Sequence, residues 1–232
     1  MTRAIHRPSS ARGTAHHGWL DARHTFSFAD YYDRDHQGFR ALRVLNEDRI
    51  APGRGFGMHP HRDMEIVTYV VAGTLAHRDS LGNAGEIGPG QVQAMSAGTG
   101  VTHSEVNPDP DAPVHLLQIW IHPDRAGHAP RYAEWRPAGI AGPLTLVASP
   151  DGADGSCAIH ADARMYVGHL ASGTALAHPA SSARGYWVQL IAGAMRVNGV
   201  PLAIGDGLAL EHTDTTDFVA GVDAHFLLFD LA

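Results

Sequence analysis

Short apolar runs closed by glycine and proline set the limits on this chain. Its 232 residues include 26 glycines and 14 prolines, which sit mostly between those runs. Such spacing calls for many turns and short strands and argues against long helices. Candidate strands cover 41–46, 65–78, 91–97 and 114–121, then 144–149, 165–170, 186–199, 207–210 and 224–231. Several, 114-VHLLQIWI-121 above all, are apolar on both faces, and such strands belong between two packed sheets. The expectation is an all-β sandwich or jelly-roll barrel.

A weak internal repeat divides the chain. Val71-Ala72-Gly73-Thr74-Leu75 is echoed by Ile191-Ala192-Gly193-Ala194-Met195, and Ile87-Gly88-Pro89-Gly90 by Ile204-Gly205-Asp206-Gly207. In each copy an apolar strand ends at a glycine, a second strand follows, and then comes a Gly-x-Gly turn. Two similar barrels, residues 1–135 and 136–232, joined within the Pro- and Gly-rich stretch 130–145, account for the pattern.

Composition removes several functions. The formal net charge is −7 and all 17 basic residues are arginines, with no basic cluster, so a direct nucleic-acid footprint is not expected. The single cysteine, Cys157, excludes an internal disulfide and any multi-cysteine metal site. The N-terminal residues carry no apolar targeting segment, and no run of 18 apolar residues follows. No membrane partner is expected, and cytoplasmic is the default reading.

Seventeen histidines prove nothing by number; their placement is what informs. In an extended strand residues i and i+2 point the same way, about 7 Å apart. His59 and His61 can therefore aim at one ion. Pro60 favours extended backbone at His59 and removes a ladder donor, which places the segment at an edge or bulge. His103 and Glu105 form a second i, i+2 pair just after Gly98 and Gly100, which supply a tight turn. Two such pairs converging from neighbouring strands give three nitrogens and one oxygen. Glu65 competes with Glu105, because it shares strand parity with His59 and His61 if that strand runs on unbroken. The donor set suits one divalent transition ion per chain: iron foremost, with nickel, manganese, cobalt, copper or zinc possible, and one or two positions left open.

These residues resemble the pirin family, a bicupin group. The spacing G-x5-H-x-H-x3-E-x7-G over 53–73 is similar to the first cupin motif, and G-x2-H-x3-N from Gly100 to Asn107 to the tail of the second. The segment 18-GWLDARHTFSFADYYDRD-35 resembles the stretch that precedes the pirin barrel. The resemblance implies two tandem cupin barrels and a metal held by His59, His61, His103 and Glu105, with Glu65 supporting from behind. Phe26-Ser27-Phe28 is read as core packing of an N-terminal strand or as lining of the pocket mouth. In the second half, His178 stands for His59, Ala180 for His61 and Arg184 for Glu65, while the His103 position falls near Ala220. No metal site is expected there, and His160, His169, His212 and His225 are left as structural or surface residues.

Bacterial members resembling this chain are associated with quercetin 2,3-dioxygenase activity, which implies a flavonol or similar phenol and O2 as substrates and Glu105 as catalytic base. The alternative the family implies is a metal- or redox-sensing regulatory protein with a protein partner.

Overall fold

The computed structural model describes residues 2–137 and 142–232. Among them the chain is almost wholly β. The helical turns are two three-residue segments, Ser9–Ala11 and Ala153–Gly155. Glycine placement explains why the strands stay short. The run expected at 65–78 breaks into Glu65–Ala72 and Leu75–Asp79, because Gly73 turns the chain at φ 79°. Gly193 breaks 186–199 in the same way, at φ 83°. At both positions a side chain would collide with backbone. A Cβ would sit 2.8 Å from the Pro113 carbonyl at Gly73 and 1.9 Å from that of Asp223 at Gly193.

One compact unit comprises residues 13–137 and 150–161. Its larger antiparallel sheet runs Arg131–Trp135, Val92–Ser96, Glu65–Ala72, Val114–Ile121, Leu42–Ile50, Leu20–His24 and Gly13–His16. Its smaller sheet runs Gly55–His61, Val101–Val106, Leu75–Asp79 and Ala84–Ile87. Apolar side chains from both sheets, including Ile50, Val70, Val114 and Leu75, meet in one buried cluster. Closing two sheets on a shared core in this way is the cupin solution.

The other unit comprises the described residues 2–12, 142–149 and 162–232. Its larger sheet includes, in order, Arg3–Arg7, Gly207–Glu211, Gly185–Ala192, Ala224–Leu231, Ala163–Leu170 and Leu144–Ser149. Its smaller sheet runs Ala175–Pro179, Thr215–Ala220, Met195–Val197 and Val200–Leu202. From Gly207–Glu211 to Leu144–Ser149, and through the smaller sheet, this is the order of the first unit, so the repeat in the sequence is a repeat of architecture. Its core is more fully apolar, built around Tyr186, Leu190, Phe218, Phe226 and Leu228.

The units do not follow a single cut between 135 and 136. Arg3–Arg7 pairs in register with Gly207–Glu211, so the N-terminal strand completes the second barrel. Residues 150–161 belong with the first. Sequence reading could not foresee this, because a strand's partner is chosen by tertiary pairing and not by proximity in the chain. Within the expected joining segment, Arg131–Trp135 is a strand paired with Val92–Ser96, and 138–141 lie outside the described residues.

Candidate metal centre

The smaller sheet of the first unit builds the site. Gly55–His61 is its edge strand, bonded among the described residues only to Val101–Val106. Pro60 is therefore tolerated, since an edge position needs no second ladder donor. Along that strand His59 and His61 are half-buried, while Met58 and Pro60 on the opposite face are exposed. The neighbouring strand sets His103 directly opposite His59 and Val101 opposite His61. Three imidazoles thus converge. Ring centroids are 4.8 Å apart for His59 and His61, 4.4 Å for His59 and His103, and 4.9 Å for His61 and His103.

The hydrogen-bonding of the rings shows which nitrogens face the centre. His59 Nδ1 lies 2.7 Å from the Gly57 carbonyl oxygen, which leaves Nε2 for the centre. The Nε2 atoms of His61 and His103 are buried without any hydrogen-bond partner. Buried polar atoms are rarely orphaned, and two orphaned nitrogens converging with a third ring are what a cation requires. One ligand atom from each of the three lies within 4.8 Å of the others. Burial, with the neighbouring His59, pulls His61 down to about pKa 4. Burial, with His59 and His61, takes His103 to about 3. Both rings are therefore neutral near pH 7, the state a metal ligand needs.

Glu105 occupies a different place. A bulge between His103 and Glu105 shifts the register there. Its buried carboxylate groups within 4.8 Å of His103 and His77, and not with the complete triad. It accepts hydrogen bonds from Thr68 Oγ1 at 3.1 Å, Gln93 Nε2 at 2.6 Å and Gln118 Nε2 at 3.3 Å. Thr68 is paired in register with both Gln93 and Gln118, so three neighbouring strands of the larger sheet present one row of neutral donors. Burial outweighs those donors and holds the carboxyl at about pKa 7.

Glu65 does not reach the triad. The strand stops at His61, Asp63 turns with φ 48°, and the chain enters the larger sheet at Glu65. Shared parity with His59 ends at that break. Buried Glu65 instead accepts the Ser96 hydroxyl at 2.7 Å and the backbone N–H of His160. Its position is structural, tying 150–161 to the barrel.

A cavity of about 680 Å³ lies on the far side of Phe56 from His59. Trp19, Phe28, Tyr31 and Phe56 line it, with Thr14, His17, His24, Asp30, Asn46 and Asp48 among its polar members. Phe56 both lines it and packs on His59, with centroids 6.2 Å apart. Trp120 links Phe28 (5.4 Å) to His61 (5.0 Å). Of the segment 26–28, Phe26 is core and Phe28 lines the cavity.

In the second barrel His178 is opposite Thr216, as His59 is opposite His103. Thr216, and not Ala220, therefore holds the His103 position, and Phe218 that of Glu105; the intervening turns are shorter than sequence alignment assumed. Only His178 among these positions is a ligand type. His160 stacks on His128 at 3.8 Å and His169 on His225 at 4.2 Å, outside the triad. His77 was missed in the sequence. Its signal was present as 77-HRD-79, an i, i+2 pair on a strand expected to be continuous.

Two barrels of matching topology, one carrying a converging three-histidine cluster that could hold a metal ion, define a bicupin protein. The sequence family described as Pirin matches residues 6–121, and that described as Quercetinase C-terminal cupin domain matches 146–231. The chain belongs to the pirin family. It is 47% identical over 225 residues to a protein of Escherichia coli named Quercetin 2,3-dioxygenase, covering 97% of each chain. A Pirin-like protein of Caulobacter vibrioides is 40% identical over 230 residues, covering 97% of this chain and 98% of its own. The crystal structure of the bacterial pirin YhhW from Escherichia coli in complex with nickel(II) superimposes with a TM-score of 0.95 at 46% identity, covering 99% of both chains.

Proposed function

We propose that the protein is a metal-dependent dioxygenase that opens flavonols such as quercetin with O2, its ion held by His59, His61, His103 and Glu105. The observation that carries this reading is the set of three converging histidines, two of them (His61 and His103) with buried, unpartnered Nε2 atoms, and an aromatic cavity that Phe56 separates from His59. Relatives named for quercetin 2,3-dioxygenase supply the substrate class. Three nitrogens and one carboxylate suit iron or nickel equally well. For Glu105 to join the histidines, its carboxylate must turn from Thr68, Gln93 and Gln118 toward them.

A divalent ion supplies Lewis acidity that lowers the pKa of a hydroxyl presented to it. The chain's own residues do the rest. Flat aromatic walls at Trp19, Phe28 and Phe56 suit a planar polyphenol and exclude water from it. Glu105, whose carboxyl burial raises above the ordinary range before an ion is bound, would accept the flavonol hydroxyl proton. O2 is the oxidant; its atoms enter the product as one ring carbon leaves as carbon monoxide. A regulatory protein would need a partner surface, whereas a cavity of small-molecule size, one aromatic ring away from His59, favours the enzyme.

Iron- or nickel-loaded protein should consume quercetin and O2 in equal amounts and release carbon monoxide. The comparison is with His59→Ala at identical metal loading, so that free ions cannot pass for catalysis. Equal rates in the two proteins would overturn the enzyme reading.

A further inference from the structure

We propose that His77 and Asp79 form a buried relay that fixes His103 in its metal-binding tautomer and strengthens it as a donor. This rests on the reading of His103 as a ligand. His103 Nδ1 lies 3.4 Å from His77 Nδ1, and His77 Nε2 lies 3.3 Å from Asp79 Oδ2. His77 is 3% and Asp79 6% exposed, so the chain of contacts is shielded from water.

The protons along this line have one self-consistent arrangement. For His103 Nε2 to hold a cation, its proton must sit on Nδ1. His77 Nδ1 must then accept, which places the His77 proton on Nε2, where it donates to Asp79. The carboxylate is anchored in turn. Its Oδ1 accepts the backbone N–H groups of Leu81 at 2.9 Å and Asn83 at 3.0 Å, and Oδ2 accepts Asn83 Nδ2 at 2.9 Å. Tyr132 stacks on His77 at 4.5 Å and 14°, which sets the plane of the ring. A carboxylate at the far end of such a line raises the basicity of the ligand at the near end.

The fold itself does not ask for these groups. In the second barrel the residue opposite Phe218 is Val197, as His77 is opposite Glu105 in the first. There the same strand pair closes on an apolar side chain and carries no triad. Burying an imidazole and a carboxylate in the first barrel costs desolvation, which their placement behind a ligand explains. His77 and Asp79 are positioning residues; neither touches the substrate.

Nickel(II) binding and the nickel ligand-field absorption bands, measured on wild type, Asp79→Asn, His77→Leu and His77→Asn, test the proposal. The amide introduced by Asp79→Asn can donate to His77 Nε2, which would put the His77 proton on Nδ1 against that of His103. Asp79→Asn and His77→Leu should each weaken nickel binding about 10–100-fold and shift the bands. His77→Asn, whose carbonyl can still accept from His103, should recover part of the loss. Wild type that binds nickel while the folded Asp79→Asn and His77→Asn variants match it in affinity and spectrum would overturn the relay alone. Wild type that takes up no nickel would overturn the metal centre and the relay with it.

Discussion

Three residues of backbone, 62–64, decide between the two carboxylates that were equivalent in the sequence. His61 ends its strand, Asp63 turns with φ 48°, and Glu65 starts in the other sheet, tied to Ser96. Glu105→Gln should weaken nickel binding and lower any flavonol turnover about 10²–10⁴-fold, the usual worth of a general base. Glu65→Gln should leave nickel content near one ion per chain and act mainly on thermal stability. If metal content follows Glu65 instead, the roles are reversed. His178→Ala should leave metal content unchanged, since Ala180, Thr216 and Phe218 fill the other positions. His59 and His61 were legible as a pair because i, i+2 geometry is local to one strand, whereas the partner that geometry gave His103, Glu105, groups with His103 and His77. His77 was not legible, because its meaning lies in a third strand that only the folded sheet brings beside His103.

At the scale of strands and turns, two glycines bear most of the repeat. Gly73 and Gly193 combine positive φ with carbonyl contacts that leave no room for a methyl group. Gly193→Ala should cost about 1–3 kcal/mol in chemical denaturation, and Gly73→Ala a similar amount. Gly88→Ala, with nothing within 4 Å of its added carbon and no positive φ, should stay within about 0.5 kcal/mol. Equal effects at Gly193 and Gly88 would show that the close approach to Asp223 is not what fixes the turn. Strands apolar on both faces, 114–121 and 224–231, were read from sequence with their observed limits. Edge strands such as Ala84–Ile87 and Arg3–Arg7 escaped notice, because exposed pairing leaves little apolar pattern to read.

Across the whole molecule, the chain assigns its N-terminal strand to the second barrel. Asp206 gathers that junction, accepting the Ser9 N–H at 2.7 Å and lying 2.9 Å from His6 Nε2. Burial alone would raise its pKa, but the N–H groups of Ala203 and Ser9, with His6, hold it below the ordinary 3.8. A carboxylate with a depressed folded pKa stabilises fully above its unfolded value, and the contribution is lost as pH falls through the folded one. Deleting residues 2–12 removes two of those partners and the ladder to Gly207–Glu211. Acid unfolding followed by fluorescence should then begin at higher pH. Hydrogen exchange should rise at 207–211, while nickel content stays unchanged. Loss of metal on deletion would show that the first barrel depends on that strand.

The same assignment imposes an order on synthesis. Residues 3–7 are made first but find their partner only when 207–211 emerge. At about 5–20 residues per second, that wait is on the order of 10–40 s. The histidine-bearing unit ends at residue 161, so all of its residues have been made while the N-terminal strand still waits for its partner.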